Sequence, residues 1–200
     1  MQLKISNVGK IENATIDVNG ITVIAGENNA GKSTIGKTMF AIFNSMNNMD
    51  EKIAQERKNR IRNIINGLLK GKIMQNIGTI SDRRRRINII STKLLDAIME
   101  YLDSEEVDTL EAYLRKQISE TTIFDNHEDE FVTECAAKVE ALLAISDKRV
   151  MTEVVTRWFG RVFEGQISPL WEEEIESEIE IVIKDKKILY HFKENTCISL

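Results

Sequence analysis

At 200 residues the chain is long enough for one domain, or for one domain carrying an inserted second, and either can bury a sizeable core. A hydrophobic share of 42%, a charged share of 30% and a single proline, Pro169, describe a mostly helical globular protein with no low-complexity tail, and the net charge of −5 excludes a uniformly basic nucleic-acid coat while leaving room for a local basic patch. The beginning of the chain lacks the apolar core of a signal peptide, and no run approaches the ~20 apolar residues of a membrane span, so no membrane association and a reducing cytoplasmic location are expected.

The first segment alternates. Leu3 and Ile5 oppose Lys4 and Ser6, then Ala14, Ile16 and Val18 oppose Thr15 and Asp17, which predicts two half-buried strands. Asn19-Gly20 is a tight-turn signal because both residues tolerate positive φ. It leads into Ile21-Thr22-Val23-Ile24-Ala25, a run apolar nearly throughout and therefore expected to be a strand covered on both faces. From Ser33 to about Ser45, Ile35, Met39, Ile42 and Phe43 fall at helical spacing and predict a helix packed on the sheet.

A long helical stretch follows. Its stripes are Ile61, Ile64, Ile65, Leu68 and Leu69; Ile87, Ile90, Leu94, Leu95, Ile98 and Leu102; Val107, Leu110, Leu114 and Ile118; Phe131, Cys135, Val139, Leu142 and Leu143; and Val150, Val154, Trp158 and Val162. Asp103 with Glu106, and Asp125 with Glu128, have the spacing of capping boxes. About five helices are expected, too irregular in heptad phase for one coiled coil. At Ile175 the period changes to two: Ile179, Ile181 and Ile183, then Ile188, Tyr190 and Phe192 after Asp185-Lys186-Lys187, predict a β-hairpin. The expected domains are residues 1–45 as the first part of a phosphate-loop core, 46–166 as an all-helical insertion, and 167–200 as the hairpin returning to the core sheet.

Between the buried run and the first helix lies Gly26-Glu27-Asn28-Asn29-Ala30-Gly31-Lys32-Ser33, which satisfies G-x-x-x-x-G-K-[ST]. Gly26 and Gly31 let the backbone curl around phosphates. Amides from Asn28 to Thr34, with the positive end of the following helix, form a nest for the β-phosphate. Lys32 reaches the β- and γ-phosphates, and Ser33 offers a hard oxygen ligand to Mg²⁺. Thr34 adds an N–H near the α-phosphate, and Asn29 tolerates the left-handed region where glycine would be easy. ATP and Mg²⁺ are the expected ligands.

Residues 21–34, preceded by Leu3-Lys4-Ile5-Ser6-Asn7 and the short hairpin, resemble the opening of ATP-binding-cassette-type heads of the structural-maintenance-of-chromosomes group. Within it they are most similar to the AAA-type ATPases of the overcoming-lysogenization-defect nucleases. The resemblance is specific over residues 1 to about 45, weaker over 175–193 and absent from the helical middle. It implies an α/β P-loop NTPase lobe with a mixed sheet, a homodimer of heads around two nucleotides, and work on DNA or on a nuclease or other effector partner, in DNA repair or phage defence. Lys10 falls where such heads place a basic contact to nucleotide.

The signature loop, the acidic strand and the switch histidine of these heads are missing. The nearest imitation of the acidic strand, Leu142-Leu143-Ala144-Ile145-Ser146-Asp147, lies on a helical stripe and is followed by Lys148. The expectation is an N-terminal fragment of a longer polypeptide, or a protein that binds nucleotide without turning it over, with no catalytic residue identified. A P-loop kinase for a small metabolite is an alternative, against which the hairpin before the loop speaks. A nucleotide-switched interaction module is another.

Other features have plainer readings. Arg83, Arg84, Arg85 and Arg86, near Lys70 and Lys72, could touch nucleic-acid phosphates, though a solvated helix start accounts for them. Trp158, Phe159 and Phe163 read as core. His127 with Asp125, Glu128 and Asp129 reads as an acidic helix start more than a metal site. His191 is expected to face solvent, Glu172, Glu173 and Glu174 to form an exposed turn, and Gln166 to precede the strand it would have to follow to sense magnesium. Cys135 and Cys197 read as small buried hydrophobes.

Overall fold

In a computed structural model, described over residues 1–73, 80–104, 108–119, 128–169, 171 and 175–200, the chain divides into two compact units: Met1–Ile53 with Asp147–Leu200, and Ala54–Ser146. The expectations for Glu106, Val107, Asp125, His127, Glu172, Glu173 and Glu174 lie outside the described residues.

The first unit is built on one sheet. Strands β1 (Gln2–Val8) and β2 (Ile11–Asp17) form a hairpin turned at Gly9, where φ is +57°. The chain returns as β3 (Ser177–Ile183), β4 (Lys186–Lys193) and β5 (Thr196–Ser199). The order is β2-β1-β3-β4-β5, and every neighbouring pair is antiparallel. Period-two alternation makes this sheet one-sided. Leu3 pairs with Ile181 and Ile5 with Ile179, all four buried, while Lys4 and Glu180 pair on the other face, 3.0 Å apart. Helices α1 (Lys32–Met46) and α6 (Asp147–Val162) supply the core's second layer through Ala41, Ile42, Val155 and Phe159. Phe159 lies 4.8 Å from Phe192 and 5.8 Å from Tyr190, centroid to centroid. Trp158, just off this layer, is flanked by the Lys52 ammonium at 5.0 Å and the Arg161 guanidinium at 5.6 Å.

Here the expected P-loop NTPase fold with a mixed sheet is overturned. The sheet is antiparallel throughout, and residues 21–25 make no strand in it: Ile21 is 95% exposed and Val23 82%. A run apolar on both faces needs a strand beside it and a layer above and below it. The chain comes back from its helices as β3, whose one-sided alternation matches β1, and no other described segment offers residues 21–25 a partner. Phe43, expected to pack, is likewise 45% exposed, and the buried face of α1 runs through Thr38, Ala41, Ile42 and Ser45.

The second unit, residues 54–146, is helical: most of α2 (Met49–Ile73), then α3 (Ile80–Asp103), α4 (Leu110–Ser119) and α5 (Glu128–Leu143). Its core joins Ile61, Ile65 and Leu69 to Leu95 and Ile98, Leu114, and Phe131 and Val139. Just past the end of α5, Arg57 donates to the Ile145 carbonyl at 2.6 Å and to that of Leu142 at 3.2 Å, the latter also accepting from the Ile145 amide. The cap expected at Asp103 is elsewhere. Asp103 closes α3, and the Thr109 hydroxyl accepts from the Ala112 amide at 3.2 Å to start α4. α6, which its stripe grouped with the other helices, packs its Val155 and Phe159 face on the sheet instead.

Candidate functional site

The glycine-rich segment sits between the β1–β2 turn and the start of α1, and local chemistry sets its shape. Gly31 immediately precedes α1 at φ +83°, and a Cβ there would lie 2.9 Å from Cγ1 of Ile11, so both the conformation and the contact call for glycine. Asn29 occupies the left-handed region at φ +73°, as its residue type allows. Gly9 of the hairpin turn lies against Thr34: a Cβ on it would be 3.3 Å from the Thr34 methyl. The hairpin thus braces the first turn of α1 at two points, Ile11 on Gly31 and Gly9 on Thr34.

The N-terminus of α1 has no side-chain cap and no acidic residue in its first turn. The positive end of the helix is therefore offset by no acid of its own first turn. The Lys32 ammonium folds back across the loop, donating to the Gly26 carbonyl at 2.5 Å and to that of Glu27. Lys10 reaches from the hairpin turn to the Asn29 side-chain oxygen. Gly26, Glu27, Asn28, Asn29 and Ala30 are exposed, Ser33 is exposed, and Lys32 and Thr34 are half-buried. Two of the amides expected to cradle phosphate are already engaged, that of Ala30 with the Glu27 carbonyl at 3.3 Å and that of Thr34 with the Gly31 carbonyl at 3.0 Å. Beside the loop is an open cleft of about 390 Å³ between Lys10, Glu12, Asn13, Ala30 and Ile35.

Two cations thus converge on one uncapped helix start, and an oxyanion suits that arrangement. The fit to Mg²⁺ rests on Ser33, whose hydroxyl stands exposed in the first turn. Among the described residues no group of three or more His, Cys, Asp or Glu could hold a metal alone.

The other singled-out residues have surroundings of their own. His191 pairs with Glu178 at 3.2 Å on the open sheet face, and Gln166 donates to the Ser168 carbonyl at 2.8 Å. Cys135 and Cys197 are buried, and burial pushes their thiols up to about 11 and about 12, so both stay protonated near neutrality. The link from Lys10 to Asn29 is the contact the residue pattern alone misses, because nothing in the local sequence says which residue the hairpin turn touches. No helix among the described residues is long and apolar enough to cross a membrane.

No family model matches the chain, and neither a curated protein nor a solved structure matches it.

Proposed function

We propose that the chain binds a nucleoside triphosphate with Mg²⁺ through residues 26–34, with ATP the nucleotide that the sequence resemblance implies. The observation that carries the reading is the Lys32 ammonium folded over an uncapped helix start, with a left-handed glycine immediately before it. Lys32 would exchange the Gly26 and Glu27 carbonyls for β- and γ-phosphate oxygens, which are stronger acceptors because they are charged. Ser33 would give its hydroxyl to Mg²⁺, and the free positive end of α1 would face the β-phosphate. Lys10 would leave Asn29 for the nucleotide, and the cleft between Glu12, Asn13 and Ala30 is the place for the nucleoside.

The resemblance extends the proposal to a cytoplasmic ATPase that acts as a homodimer, with DNA or an effector as partner and a role in repair or phage defence. No residue of this chain is assigned to hydrolysis. A second reading, an interaction module switched by nucleotide without turnover, is favoured by the exposed apolar residues flanking the loop in sequence. These are Ile21, Val23 and Ile24 before it, and Phe40 and Phe43 on α1 after it.

Calorimetric titration of Mg-ATP into the chain and into Lys32→Ala tests the proposal. Micromolar binding that the substitution weakens at least about a hundredfold is expected, since hydrogen bonds to charged groups are worth ~1.5–3 kcal/mol and Lys32 makes more than one. Equal binding by both chains, or none by a folded wild type, would refute it. Phosphate release with and without duplex DNA separates the ATPase from the switched module.

A further inference from the structure

The first half of α3 carries its charge against the rule for helix stability. From Ile80 to Lys93 there are five basic residues and one acid, Asp82, whereas from Leu94 to Asp103 there are three acids and no base. The helix dipole favours the opposite arrangement, acids at the start and bases at the end. Where a local rule is broken with no compensating contact, a functional reason is the usual one. Among the described residues, three of the arginines show no such contact. Arg84, Arg85 and Arg86 are consecutive and exposed, and among the described residues they make no ion pair.

We propose that this end of α3 is a nucleic-acid contact that grips the phosphates of a duplex through Arg84, Arg85 and Arg86. Consecutive helical residues are ~100° apart, so the three guanidinium groups span about 200° of the helix circumference. A flat acidic protein surface meets one side of a helix and would leave part of that arc in solvent. A groove walled by phosphates on both sides meets all of it, and the positive end of the helix adds to the attraction. A membrane surface suits it less. The apolar stripe of α3 is committed to the core through Ile87, Ile90, Leu94 and Ile98, and the exposed Ile80 and Ile89, nine positions apart, lie on opposite sides of the helix. The proposal concerns the second unit and does not depend on nucleotide binding.

The test is fluorescence anisotropy of a labelled ~30-base-pair duplex with the nucleotide-free chain and two triple variants of Arg84, Arg85 and Arg86, one to Glu and one to Lys. The melting temperature of each reports folding. Three phosphate contacts should weaken wild-type binding about fortyfold between 50 and 200 mM salt. The triple Glu variant should lose at least about tenfold in affinity at low salt, and the triple Lys variant should keep most of it. An unchanged affinity and salt slope in the triple Glu variant would overturn the proposal, as would no duplex binding by the wild type at low salt. Preferential binding of poly-glutamate, or of vesicles rich in anionic lipid, over the duplex would overturn it in favour of an acidic protein or a membrane.

Discussion

Tyr190 shows how much a single atom can matter in this core. Its ring is fully buried against Phe159, and burial raises its hydroxyl well above the ordinary phenol range. That hydroxyl finds no hydrogen-bond partner among the described residues, and nearby Ser45 gives its own proton to the Ile42 carbonyl at 2.9 Å. A buried unsatisfied hydroxyl costs ~1–3 kcal/mol, so Tyr190→Phe should leave stability unchanged or raise it by ~1 kcal/mol in denaturant unfolding. On the open face of the sheet, hydrogen bonds from Lys187 and then Lys4 hold the Glu180 carboxyl below its ordinary value of 4.5. Its contribution is present in full above that value and is lost as the pH falls through the lowered one. The melting-temperature gap between wild type and Glu180→Gln should therefore be open at neutral pH and narrow as the pH falls below 4.5. At Gly31, alanine meets both a strained φ of +83° and the Ile11 side chain. Gly31→Ala should cost ~1–3 kcal/mol and abolish nucleotide binding, as unfolding and calorimetry would show. The glycines, Asn29 and Lys32 were legible as a loop from residue type alone. Lys10 was placed near nucleotide by resemblance, and its touch on Asn29 needed the tertiary arrangement.

Among the elements, those that bury one side declared themselves in sequence. The alternation of Leu3 and Ile5, and of Ile179 and Ile181, marks strands whose apolar residues do pair across β1 and β3. The helical stripes through Ile65, Leu95, Leu114 and Phe131 meet in one core. Two elements were misread for physical reasons. Residues 21–25 have strand composition, but a strand exists only with a neighbour to bond, and the sheet takes β3 there instead. α6 has the same period as the helices before it, and periodicity does not say which surface a stripe will cover. Its role in the sheet-bearing unit makes Phe159 a sensitive position: Phe159→Ala should cost ~3–5 kcal/mol, measurable as a shift in the denaturation midpoint. In the helical unit, Arg57→Ala removes the charged donor from the carbonyls of Leu142 and Ile145 just past α5 and should cost ~1.5–3 kcal/mol, with Arg57→Lys recovering only part, because one ammonium cannot copy the guanidinium's spread of donors.

For the molecule as a whole, a sheet-bearing unit interrupted in sequence by a helical one puts the candidate nucleotide loop and the arginine-rich helix start in different units. The loop is braced by the hairpin through Ile11 and Gly9, although the run before it lies outside the sheet. The central claim is that this brace presents the start of α1 to a triphosphate. Amide NMR shifts on adding Mg-ATP to the isotope-labelled chain test it most directly. The account predicts that the largest changes fall on residues 26–34 and on Lys10 at the β1–β2 turn. Changes confined to the helical unit, or none at millimolar nucleotide, would contradict it.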